Sequence, residues 1–100
     1  MSYRLVVRPE VDADLIEAEA WYEQQKVGLG RDFLRAARET MESLSANPLI
    51  YQVRSRSKQV RWAYSRRFPY RIIFRVIGDT VIIYAVVHSV RHDRTWKRRL

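Results

Sequence analysis

RRFPYRIIFRVIGDTVIIYAVVHSVRHDRTWKRR, residues 66–99, is the stretch that decides the fold. Tyr70, Ile72, Phe74 and Val76 alternate with Arg71, Ile73, Arg75 and Ile77, a period of two that marks a β-strand with two unlike faces. Gly78-Asp79 then supplies a two-residue hairpin turn, with Gly78 able to adopt the positive φ that such turns need. Folded on that turn, the spacing predicts that Val76 faces Val81, Phe74 faces Ile83, Ile72 faces Ala85 and Tyr70 faces Val87. These pairs form one continuous apolar face. The opposite face is expected to hold Arg71 and Arg75 beside Ile73, Ile82, Tyr84 and Val86, with His88 at its open end and Arg91, His92 and Trp96 following. A surface of that kind suits water or an acidic ligand.

Working toward the N-terminus, residues 61–65 read as a further strand and Tyr51–Gln59, YQVRSRSKQ, as a loop before it. Tyr3–Val7 reads as an opening strand. Pro9 fits a first helical position, and Glu10, Asp12 and Asp14 put negative charge where the helix dipole is positive, so the pattern predicts a helix over about Pro9–Lys26. Val11, Leu15, Ala18 and Tyr22 share one of its faces, widened by Ile16 and Trp21. Gly28 and Gly30 allow a tight reversal, after which Leu29, Phe33, Ala37, Met41 and Leu44 recur at helical spacing until Asn47-Pro48 stops the second helix. The apolar stripe of this helical hairpin needs a partner, and the only other large apolar face is on the strands, so the helices should lie across the sheet.

The chain has 100 residues, 12.0 kDa and no cysteine, which makes it one domain without disulfides or thiolate metal sites and favours a reducing compartment. No apolar run approaches a membrane span, and the first residues turn acidic too soon for a signal peptide, so a cytoplasmic protein is expected. There is no internal repeat and no low-complexity tail. The net charge of +8 hides an asymmetry: residues 1–50 carry six basic and nine acidic side chains, residues 51–100 thirteen and two. Sixteen of the nineteen cations are Arg, whose planar fork suits carboxylates and phosphates. An acidic protein or a nucleic acid is the partner this implies. The series Glu10, Asp12, Asp14, Glu17, Glu19 and Glu23 runs around a helix instead of converging, so it is read as a solvated face; no metal and no cofactor is expected.

The order strand, helix, helix, strand, strand, strand now combines with motifs at both ends. The opening strand leads into Pro9, the second helix closes at Asn47-Pro48, Phe68-Pro69-Tyr70 enters a strand, Gly78-Asp79 turns it, and Val86-Val87-His88 is followed by Arg91 and Trp96. Together and in this order they resemble the RelE/ParE toxins of bacterial type II toxin-antitoxin systems. The Phe-Pro-Tyr entry and the His, Arg and Trp ending are more similar to the ParE branch. The resemblance implies an α+β, RelE/ParE-like fold spanning 1–100, with an N-terminal strand and helical hairpin packed on a mainly antiparallel sheet (β-α-α-β-β-β). It implies a toxin neutralised by a cognate antitoxin and acting on DNA gyrase, as ParE toxins do, or on mRNA, as RelE toxins do. Operator DNA would be met through the antitoxin of the complex.

Residue roles follow from these two routes. Arg71, Ile73, Arg75, Tyr84 and Val86 are the expected antitoxin-binding set, since an acidic, disordered tail could fold onto them with both apolar burial and Arg pairing. Arg94, Trp96, Lys97, Arg98 and Arg99 are the expected target-docking set, with Trp96 pinning the tail and the cations left exposed. A ribonuclease would need groups to move protons and cations to stabilise the phosphorane; Arg61, Arg67, Tyr84, His88 and Arg91 are the candidates, with Lys58 alone in the loop. Because Asp79 is the single carboxylate between residues 43 and 92, His88 is read as structural and the protein as a docking toxin without a catalytic centre. The third class is a basic nucleic-acid-binding module without toxin activity. The Arg66-Arg67 pair could face a carboxylate, a phosphate or water.

Overall fold

The computed structural model describes residues 2–65, 67–88 and 94–100. Arg66, Arg91 and His92 therefore lie outside the described residues. The chain runs β1 (Arg4–Val7), α1 (Pro9–Gln25), α2 (Leu29–Ser43), a 3-10 turn (Pro48–Ile50), β2 (Val53–Ser55), β3 (Val60–Tyr64), β4 (Tyr70–Ile77), β5 (Thr80–His88) and α3 (Arg94–Lys97). The five strands form one sheet in the order β1-β5-β4-β3-β2. β1 lies parallel to β5, and the remaining pairs are antiparallel. α1 and α2 cross one face of this sheet, which gives the α+β architecture that the apolar patterning demands. Within the loop expected at 51–59, Val53–Ser55 pairs with β3 as a short edge strand.

Each helix starts for a local reason. Pro9 occupies the first turn of α1, with Glu10 and Asp12 beside it. Gly28 takes a φ of +89°, a conformation that costs other residues a Cβ clash, and the chain reverses there into α2. Glu23, near the end of α1, reaches over the reversal and accepts the N–H groups of Gly28 (2.9 Å) and Gly30 (3.0 Å), so a carboxylate from one helix satisfies the orphan donors of the next. Gly30 is buried where the two helices touch: a Cβ there would stand 2.7 Å from the carbonyl oxygen of Glu19.

Val11, Ala18, Tyr22, Phe33, Ala37 and Met41 from the helices, with Leu44 just past the end of α2, pack on Ile72, Phe74, Val81, Ile83 and Val86 from the sheet. Tyr22, Phe33, Phe68 and Tyr70 stack and tilt against one another at centroid separations of 4.9–5.9 Å, closing one end of this core. Ile16 and Trp21, expected to widen the buried stripe of α1, instead face out at 64% and 52% exposure. Trp21 lines an open cavity with Tyr70, Val86, Val87 and His88 of the sheet.

The β4–β5 hairpin departs from the expected register at one point. Gly78 has φ +60°, Ile77 pairs with Thr80, and the facing pairs Val76–Val81 and Phe74–Ile83 hold. A β-bulge follows: Ile73 pairs with Ala85, which leaves Tyr84 as the extra residue of β5. Beyond it every pair is shifted by one, so Ile72 meets Val86, Arg71 meets Val87 and Tyr70 meets His88, not Ala85 or Val87 as expected. A one-residue shift exchanges faces. Val86, expected on the outer face, belongs to the helix-side core, while Ala85 and Val87 join Ile73 on the other side.

Candidate partner-binding site

The outer face of the sheet has its own apolar layer. Val60, Ile73, Ala85 and Val87 lie beneath Trp96 of α3, with Trp62 and Leu100 packed at the margin. Trp62 of β3 and Trp96 meet edge to face at 6.4 Å. The face expected to stand open is thus largely roofed, because α3 packs across it. Ile73 is fully buried, and Arg71, Tyr84 and Val86 are 4%, 5% and 3% exposed. Arg75 is half-buried. Of the expected antitoxin-binding set, none presents an open side chain; the guanidinium of Arg71 lies over the Trp62 ring, 4.3 Å from its centroid, as part of the packing.

Exposed cations stand around the rim of this roof. Arg54 from β2 lies 5.1 Å from the Trp62 centroid, and Lys97 from α3 lies 5.8 Å from that of Trp96. Arg54, Ser55, Lys58, Trp62, Trp96 and Lys97 line a cleft of about 490 Å³ between the β2–β3 ribbon and α3. Arg54 and Lys58 came from the stretch read as a loop, and the sequence signal for them was only the run of cations in RSRSK.

The C-terminal set divides. Trp96 is buried at 3% exposure, and Lys97 and Arg98 are exposed. Arg94 opens α3. Arg99, expected to be free, is not: its Nη1 and Nη2 donate to the two oxygens of Asp14 at 2.6 and 3.0 Å, and Nη1 also donates to the Tyr84 carbonyl at 3.0 Å. That pairing raises the Arg99 pKa further above its ordinary value, chiefly through the hydrogen bond to Asp14. Asp14, read from sequence as part of a solvated helix face, also accepts the Val86 N–H at 3.0 Å.

The described residues expected to serve a ribonuclease, Arg61 and Arg67 as cations and Tyr84 and His88 for proton transfer, have separate neighbours. Arg61 donates to the carbonyl of Tyr51 and holds the 3-10 turn against β3. Arg67, at φ +72°, pairs with Asp32 of α2 at 3.4 Å and covers Phe68. Tyr84 lies under the guanidinium of Arg8 at 5.6 Å. His88 packs edge-on against Tyr70 at 5.3 Å, across the ladder. Arrangements of this kind tie loops and strand ends together. Among the described residues, no group of three or more histidines and carboxylates gathers as a metal site would require, and no helix is long and apolar enough to cross a membrane.

Comparison with known proteins agrees with this architecture. The pattern of the ParE toxin of the type II toxin-antitoxin system, parDE, matches residues 5–92, and α3 lies beyond the match. Among solved structures, the chromosomal ParDE system from P. aeruginosa superposes with a TM-score of 0.77 at 19% identity, covering 87% of this chain and 96% of that one. The RelBE2 toxin-antitoxin complex from Mycobacterium tuberculosis gives 0.64 at 24% identity, covering 88% and 99%. An arginine-to-alanine variant of the E. coli toxin RelE in the free state gives 0.62 at 15% identity, covering 90% and 86%. No curated protein matches the sequence. With the family pattern spanning most of its length and the same fold recurring in these structures, the chain belongs to the ParE toxin family of type II toxin-antitoxin systems.

Proposed function

We propose that this ParE-family toxin inhibits DNA gyrase by docking and is neutralised in the cytoplasm by a cognate antitoxin with an acidic tail. The observation that carries the reading is the C-terminal element: Trp96 is buried against the sheet while Lys97 and Arg98 beside it stand exposed. Exposed cations held beside a fixed aromatic make a docking device for an acidic surface. The separate engagements of Arg61, Arg67, Tyr84 and His88 point the same way. Contact with operator DNA belongs to the antitoxin in the complex, with the +8 charge of this chain assisting.

Purified protein tests the reading in two parallel reactions. One follows gyrase supercoiling with a cleavage-complex readout, and the other follows translation with mRNA ends mapped. Loss of supercoiling with intact mRNA is expected. Intact supercoiling with mRNA cut on translating ribosomes would replace gyrase docking by ribonuclease activity.

A further inference from the structure

The cleft between the β2–β3 ribbon and α3 is rich in donors and poor in acceptors. Arg54, Lys58 and Lys97 line it, and none of its lining residues is a carboxylate. The indole Nε1 atoms of Trp62 and Trp96 are buried without an acceptor among the described residues. Trp96 is itself 3% exposed and lines the cleft. What the cleft itself offers is positive charge, with no carboxylate among its lining residues to answer Arg54, Lys58 and Lys97.

The other cation cluster on the surface differs in this respect. Lys26, Arg31, Arg35 and Arg67 gather near the start of α2, but there Asp32 answers Arg67 and Glu23 already holds the helix N–H groups.

The aromatic rings decide what kind of anion fits. Arg54 and Arg71 both lie on Trp62, Trp96 meets its edge, and Lys97 lies over Trp96. A nucleotide base needs an open ring to stack on, and these rings are committed to partners within the chain. A carboxylate needs only an N–H edge of a guanidinium and the ammonium groups, and a guanidinium that contacts an indole through its face can still offer such an edge.

We propose that this cleft seats an acidic segment of the antitoxin, with a Glu or Asp side chain received by Arg54, Lys58 and Lys97. This rests on the antitoxin reading above and extends it. Lys97 belongs to both the cleft and the exposed C-terminal docking element, so a segment seated here covers part of that element. Neutralisation then follows from masking.

The test compares the wild-type toxin, Arg54→Glu/Lys58→Glu, and a control, Arg31→Glu/Arg35→Glu, which makes the same charge change on α2. Each is checked for an unchanged thermal transition. Calorimetry measures binding of the antitoxin encoded beside the toxin gene, and tryptophan fluorescence follows titration with a poly-glutamate peptide and, separately, a poly-dT oligonucleotide. The cleft variant should lose about tenfold or more in antitoxin affinity, with a shallower salt dependence, and should lose the fluorescence response to poly-glutamate, while the control keeps both. Equal losses in both variants, or none in either, would overturn the proposal. A saturable response to poly-dT that vanishes in the cleft variant, with none to poly-glutamate, would make the cleft a nucleic-acid site instead. If poly-glutamate binds the cleft but the neighbouring gene product does not bind the wild-type toxin, the antitoxin reading fails while the carboxylate chemistry of the cleft stands.

Discussion

Asp14 in α1 and Arg99 near the C-terminus form a two-pronged ion pair that completes the edge of the sheet. β1 covers β5 only from Thr80 to Ile83 before the chain turns into α1. Past that point the Tyr84 carbonyl and the Val86 N–H have no strand beside them. Arg99 donates to the first and Asp14 accepts from the second. Two side chains thereby take the place of a missing strand, at the position where the bulge has changed the face of every following residue.

Removing one member leaves the other buried with its backbone partners. The two side chains are 12% and 15% exposed, so water compensates little. Asp14→Ala should lower stability in a urea titration by about 3 kcal/mol, and Asp14→Asn, which can still accept from Val86, should lose less. Equal, small losses in both would show that the pair contributes nothing beyond surface charge.

The start of α2 offers a second measurable dependence. Glu23→Ala removes the acceptor shared by the Gly28 and Gly30 N–H groups and should cost about 1 kcal/mol, the usual worth of a helix cap. Gly30→Ala should cost about 1–3 kcal/mol, since its Cβ meets backbone of the neighbouring helix, which cannot rotate away. Denaturant midpoints of the two variants settle both values; a neutral Gly30→Ala would mean that the helices separate freely at this contact.

How much of this was legible follows from the pattern of each strand. In β4, Arg71 and Arg75 break the apolar run and fix which residues face which way. In β5 the run VIIYAVV is apolar at every position, so alternation cannot say where the faces exchange, and the bulge at Tyr84 left no mark. The helical hairpin was readable because its apolar residues recur at helical spacing and its reversal needed Gly28. The Asp14–Arg99 pair was not readable: it joins residues 85 positions apart, and each resembled an ordinary surface charge. Burial of the outer face escaped for a related reason, since Trp62 and Trp96, 34 positions apart in sequence, meet over it only in the folded chain.

Burial of Arg71 changes what its reversal should do. From sequence, Arg71 and Arg75 stood ready for an acidic partner. In the fold Arg71 is 4% exposed with its guanidinium on Trp62, so Arg71→Glu should destabilise the domain, placing a carboxylate against an indole where a cation was held. Arg54→Glu, at an exposed position on the same ring, should leave the thermal transition nearly unchanged. A fully stable Arg71→Glu with lost antitoxin binding would restore Arg71 to the interface.

His88 packs on Tyr70 at the end of the hairpin. His88→Gln keeps hydrogen-bonding capacity but does not titrate, so growth inhibition should persist. Complete loss of toxicity, with folding and antitoxin binding intact, would assign His88 to chemistry.

The C-terminal cations can be separated by role. Arg99 holds Asp14 and the Tyr84 carbonyl, whereas Lys97 and Arg98 are exposed. Deleting residues 97–100 removes both functions at once, and its effect on toxicity would not distinguish a lost docking surface from a loosened fold. Substitution does distinguish them. Arg99→Ser should lower the thermal transition through the loss of the buried pair. Lys97→Ser/Arg98→Ser should leave that transition in place and reduce gyrase inhibition by about tenfold or more, since it removes two charges from the docking element without opening the core. Arg98→Ser alone, which leaves the cleft beside Lys97 intact, should reduce inhibition while preserving antitoxin affinity. Unaltered supercoiling inhibition by the double variant would place target docking on another surface.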